Sequence, residues 1–174
     1  MRIASITPLI AAVTLLTAAP ATSDEPEAPQ ELLPNQVEVA EGVLAGGQPS
    51  AEQLEALRAA GYRAVLNLRT EREEGPGQET AEAVGLEFER LPIDGSAGLD
   101  EANARRFAEL LDAMERPLVV HCGSGNRVGA LFALKAYYVD GQDAEAALET
   151  GRRAGLTGLE EAVRRQLSAD ASDS

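Results

Sequence analysis

The run Leu118 to Ala130, Leu-Val-Val-His-Cys-Gly-Ser-Gly-Asn-Arg-Val-Gly-Ala, constrains this chain more than any other stretch. Four residues suited to a buried strand end at His121, a glycine-containing turn follows, and a largely apolar segment that reads as a helix begins near Arg127. A strand that turns directly into a helix belongs to sheets built by helical crossovers, so the junction predicts a parallel arrangement. Cys122, the single cysteine, stands at the hinge. Backbone N–H groups at such a junction converge on one concavity at the positive end of the helix dipole. A thiol there is favoured as thiolate, an oxyanion is cradled, and Arg127 can add a planar two-pronged clamp.

The flanking sequence repeats the alternation. Val37 to Gly46 reads as two short strands, or a strand and turn, at a sheet edge. Ser50 and Gln53 have capping-box spacing for a helix carrying Leu54 and Leu57 and closed by Gly61. Arg63 to Leu68 and Leu86 to Leu91 read as strands, with a short helix over Gln78 to Val84 between them. Asp100 is placed to cap a helix whose Phe107, Leu110, Leu111 and Met114 form one stripe. Asp143 to Arg153, and a segment marked by Leu159, Val163 and Leu167, read as two further amphipathic helices. The expected fold class is α/β: one domain over residues 36–168, with a mostly parallel central sheet flanked by helices and a disordered tail at 169–174. With six aromatic residues and no Trp, its core must be built from Leu, Val and Ala.

Residues 1–21 read as a cleaved signal peptide, with Arg2, an apolar stretch from Ile6 to Ala19 and an Ala19-Pro20-Ala21 cleavage pattern. Residues 22–35, rich in Pro, Glu and Ala, read as an acidic linker. The expected location is therefore periplasmic or secreted, with no membrane span after cleavage. A lone cysteine in such a compartment has no internal disulfide partner, so it must be buried or used. The formal net charge of −14 argues against nucleic acid and anionic membranes as partners, and an anionic substrate must be drawn in by local positive charge.

In open parallel sheets, ligands gather beyond the carboxyl ends of the strands. Three loops are expected there: one starting at Arg69, one holding Asp94, and the Cys122 loop. Asp94, with Gly95 and Gly98 beside it, is the candidate general acid, although a turn alone also accounts for an Asp there. Arg69 either lines the cleft or pairs with Glu71. His121, the only histidine, should point away from Cys122 as its strand neighbour and serve packing. With no second histidine, neither a metal cluster nor a Cys–His–Asn triad can be assembled. The glycines at 123, 125 and 129 fit no dinucleotide fingerprint, and no cofactor is expected.

His121-Cys122 followed by a glycine-containing loop, Arg127 and Val128-Gly129-Ala130 resembles the cysteine-dependent tyrosine and dual-specificity phosphatase superfamily. Together with Gly46-Gly47-Gln48-Pro49-Ser50, Ala64-Val65-Leu66-Asn67-Leu68-Arg69 and Leu91-Pro92-Ile93-Asp94, it is most similar to the bacterial phosphatase-like family associated with beta-lactamase-like hydrolases. The resemblance implies a phosphatase-like domain with Cys122 as nucleophile, Arg127 as oxyanion binder, Asp94 as acid, and Gly123, Ser124, Gly125 and Asn126 as the oxyanion loop. Two departures stand out. The phosphatase signature places five residues between Cys and Arg, whereas here there are four, and Val128 replaces the usual hydroxyl residue. The shorter loop is similar to that of rhodanese-type sulfurtransferases, in which Cys122 would carry a persulfide. A third reading is a non-catalytic oxyanion-binding module.

Overall fold

A computed structural model of the chain describes residues 31–173. The proposed signal peptide and most of the proposed linker lie outside them. Five short strands form one sheet: β1 (Val37–Ala40), β2 (Val43–Gly46), β3 (Ala64–Asn67), β4 (Glu87–Arg90) and β5 (Leu118–His121). Their order across the sheet is β1-β2-β5-β3-β4, and every pairing is parallel except the β1–β2 hairpin at one edge. The mostly parallel α/β architecture read from the sequence is the architecture observed.

Alternation along the strands sorts the core into two layers. Val43, Ala45, Ala64, Leu66, Leu118 and Val120 face one side and pack with Phe107 and Leu131, whereas Leu44, Val65 and Val119 face the other and pack with Leu54 and Leu57. The second face is covered by α1 (Ala51–Ala59) and α2 (Gln78–Ala83). The first is covered by α3 (Glu101–Ala113), α4 (Asn126–Tyr138), α5 (Ala144–Arg153) and α6 (Glu160–Asp173). Phe107 is fully buried and meets Phe132 edge-on at 5.1 Å. Burying one such side chain stabilises the fold by about 1.5–3 kcal/mol. At the far edge, β4 exposes Glu87 and Glu89, charges that discourage pairing with a further strand.

Local chemistry sets the helix starts. Ser50 accepts from Gln53 N–H while Gln53 reaches back to the Ser50 backbone, which closes the capping box on α1. Asp100 accepts from Asn103 N–H at the start of α3, and Asp143 caps α5 in the same way. The α4–α5 contact has a different origin. A Cβ on Gly129 would stand 2.0 Å from the Leu156 backbone nitrogen, and one on Gly151 would stand 2.8 Å from the Gly129 carbonyl oxygen. Only glycine at both positions lets α4 lie this close to its neighbours.

Two boundaries differ from the sequence reading. The domain begins before residue 36: Leu33 is fully buried, and the Pro34 carbonyl accepts from Gly47 N–H at 2.7 Å. Composition suggests a linker through 35, but Leu33 packs with Leu44, Leu54 and Leu57 and so belongs to the core. At the other end, α6 carries helical backbone to Asp173, where a disordered tail from 169 was expected. Among the described residues no helix is long and apolar enough to cross a membrane.

Candidate active site

The loops that leave β2, β3, β4 and β5 at their carboxyl ends meet at one point. Cys122 leaves the central strand on the α3–α4 side of the sheet and is almost completely buried, at 1% exposure. Gly125 has φ of 92°, a left-handed conformation that glycine adopts without strain, and it reverses the chain into α4. That reversal brings Gly125 N–H to 3.1 Å from Cys122 Sγ. One amide of the expected oxyanion cradle is thus already engaged by the sulfur. Asn126, Arg127 and Val128 follow as the first residues of α4, whose N–H groups have no acceptor within the helix itself.

The loop is braced from both sides. Gly47 bridges Ser124, and Gln48 N–H donates to the Gly123 carbonyl at 3.3 Å. A Cβ on Gly47 would meet that carbonyl oxygen at 3.1 Å, so glycine at 47 permits the close approach. Asn35 donates to the Ser124 carbonyl at 3.3 Å. Asn126, read from the sequence as part of the oxyanion loop, turns its side chain away. Its Oδ1 accepts from Thr157 N–H at 2.9 Å and Leu159 N–H at 3.3 Å, tying the loop to the turn between α5 and α6. Only its backbone remains for an anion.

Arg127 is the hub. Its Nη1 donates to Glu73 Oε2 at 2.7 Å and to the Ile93 carbonyl at 3.1 Å, while its Nη2 donates to Glu73 Oε1 at 2.6 Å. A Cβ on Gly123 would stand 3.5 Å from Nη2, which puts that nitrogen over the first residue after Cys122. Hydrogen bonding to Glu73 raises the guanidinium's proton affinity, burial opposes this, and the charge of Cys122 adds a smaller increase. Glu73 itself is held far below the usual carboxylate range, chiefly by Arg127.

Glu73 was not singled out in the sequence, where it is one acid of a charged loop. The available signal was its spacing from Arg69: the two pair at i,i+4, with Nε to Oε1 at 3.3 Å. Arg69 therefore pairs with Glu73 rather than Glu71, and its Nη1 donates to Gln48 Oε1. Asp94 lies where expected along the chain, one residue after the Ile93 carbonyl that meets Arg127. Its carboxylate faces Arg72 at 3.2 Å on the rim, with both side chains largely exposed. Within the loop that holds Asp94, Gly95–Gly98 form a 3-10 turn, steadied by Asn103 Nδ2 on the Gly98 carbonyl.

His121 is on the opposite face from Cys122, alongside Asn67 in the β3–β5 register. Burial, opposed by a contact with the Cys122 carbonyl and reinforced by Arg69, Arg90 and Arg127, lowers its pKa to about 4. It is neutral at ordinary pH and serves the structure of the junction. Among the described residues, no group of three or more His, Cys, Asp or Glu is placed to hold a metal ion.

The family of DSP-PTPase phosphatases fused to NAD+ kinase matches residues 18–166 of the chain. A beta-lactamase hydrolase-like protein of Xylella fastidiosa is 31% identical over 112 residues, covering 61% of this chain and 26% of that protein. A protein of the same name from Agrobacterium fabrum is 30% identical over 105 residues, covering 56% and 24%. The chain thus spans about a quarter of the length of these curated relatives. Among solved structures, TpbA of P. aeruginosa superposes with a TM-score of 0.62 at 19% identity, covering 82% of this chain and 88% of that one. Tk-PTP in its active form superposes at 0.59 with 22% identity, covering 78% and 97%. At these identities the superpositions establish the shared fold.

Proposed function

The chain belongs to the family of DSP-PTPase phosphatases fused to NAD+ kinase, and from that premise we propose that it hydrolyses phosphoric monoesters through a phosphocysteine at Cys122. The carrying observation is the buried Sγ, with Gly125 N–H on it at 3.1 Å and the Arg127 guanidinium over the same loop. In the first step, Sγ attacks phosphorus and forms an S–P bond. The ester P–O bond breaks, and the leaving oxygen takes a proton. Charge spreading over the remaining oxygens is met by the first amides of α4 and by Arg127. Asp94 supplies the proton after turning from Arg72, then takes one from the water that cleaves the S–P bond and releases inorganic phosphate and the thiolate. The substrate class is a phosphoester, a phosphoprotein among the candidates. The compartment is outside the cytoplasm, a reading supported by the signal-like residues 1–21.

Purified protein should release phosphate from an aryl phosphate, and Cys122→Ser should release none. Equal rates for the two proteins would sink the proposal. The four-residue spacing and Val128, which is fully buried and brings no hydroxyl to the thiolate, favour a second reading as a sulfurtransferase. Thiosulfate treatment and intact-mass measurement separate the two, since a persulfide adds about 32 Da, one sulfur atom. A Cys122 persulfide without phosphate release would decide for sulfur transfer.

A further inference from the structure

We infer that Glu73 is a positioning residue for the anion clamp: it grips the outer end of the Arg127 guanidinium and leaves the inner edge for a tetrahedral oxyanion. This rests on the hydrolytic reading above and adds a residue that the reading does not use. A guanidinium carries five N–H bonds in one plane. Three are committed, two to Glu73 and one to the Ile93 carbonyl. Among the described residues no oxygen takes the Nε–H and the other Nη2–H, which run parallel along one edge on the side of Cys122, whose sulfur also interacts with this guanidinium. That edge is a fork spaced for two oxygens of a phosphoryl group.

Glu73 is fixed rather than loosely placed. Its Oε2 also accepts from Thr70 N–H at 2.8 Å and from the Thr70 hydroxyl at 3.2 Å, and its Oε1 accepts from Arg69 Nε at 3.3 Å. Arg69 is anchored in turn to Gln48, whose Nε2 donates to the Pro49 carbonyl at 3.0 Å. One carboxylate between two guanidiniums leaves the trio with a net positive charge in a chain of net charge −14. Glu73 thus orients Arg127 without cancelling the potential that draws an anion in, and Arg69 acts through Glu73. The rival reading treats the Glu73 carboxylate as a competitor that a substrate must displace, and it makes the opposite prediction.

The test is titration calorimetry of the full chain with tungstate, a tetrahedral oxyanion that needs no turnover. Glu73→Gln should weaken tungstate binding by at least about tenfold, the scale of one charge-assisted clamp. Glu73→Asp should restore part of the loss. Arg69→Met should weaken binding less, and should add little to Glu73→Gln, because both act on one guanidinium. Binding in Glu73→Gln as tight as in the unmodified chain, or tighter, would overturn the inference and favour the competitor. If Glu73→Gln does not fold, Arg69→Met carries the test, and unchanged tungstate affinity there would overturn it. Tungstate binding that depends on Glu73 in a protein releasing no phosphate from aryl phosphates would refute the hydrolytic reading and leave the positioning role standing.

Discussion

The same chemical motif, one carboxylate shared by two guanidiniums, is found in two places among the described residues. Glu73 lies between Arg69 and Arg127 at the Cys122 loop, and Glu160 lies between Arg152 and Arg164 where α5 meets α6. In the first, the arginine side chains are 13% and 15% exposed; in the second they are 31% and 39% exposed. Around Glu160 the arginines also reach Glu145 and Glu149, so the group is a web of interchangeable surface pairs. Around Glu73 the remaining partners are Thr70, the Gln48 side chain and the Ile93 carbonyl, each with a fixed direction. An exposed pair in water gains little and tolerates loss, whereas a part-buried one with directional neighbours sets where a charge points. The difference lies in surroundings, not in composition.

Substitutions should separate the two clusters in order of effect. Arg127→Lys keeps the charge but loses the fork, and should lower kcat/KM for an aryl phosphate by about a hundredfold or more. Retained activity there would place the anion clamp in the loop amides alone. Glu73→Gln should cost about tenfold in the same measurement while Cys122 stays intact, matching its loss of oxyanion affinity. Acid should reach the region of the active loop before it reaches the surface cluster. His121 has a folded pKa of about 4 against 6.5 when unfolded, so the unfolded state takes the proton first. Folding stability should therefore fall by about 3 kcal/mol as pH drops from 6.5 to 4, with the slope lost in His121→Gln. Glu160 has its pKa lowered to about 2, mainly by Arg152, so its contribution should persist until pH falls below about 4.5 and fade towards 2. Urea denaturation across that range checks both. Glu160→Gln at neutral pH should leave turnover unchanged and move the melting temperature least of all. A large loss of activity would end the contrast.

The sequence announced what depends on near neighbours. Ser50 with Gln53 and Asp100 with Asn103 are caps within one turn, and both formed as spaced. The short apolar runs marked β3 and β5 as buried strands, and the strand–turn–helix around Cys122 followed from its own residues. What was hidden depends on distant partners. Glu73 meets Arg127 across 54 positions, and Asn126 meets Thr157 across 31. In a linear reading, Glu73 is one more acid in a solvated loop, and Asn126 is one more polar residue near the Cys122 thiol. Leu33 escaped notice because a single leucine beside Pro34 carries no periodicity. The placement of Asp94 on the loop was legible, but the direction of its carboxylate, towards Arg72, was not.

The contact of Gly129 and Gly151 bears on how this protein can change over generations. Most helices are held by side chains, and a swap of volume in the core lets them creep. Here the helix that carries Arg127 meets main chain at Gly129, so at that point there is no side chain to trade. Variation in the leucines and alanines around it can retune stability while the guanidinium keeps its address.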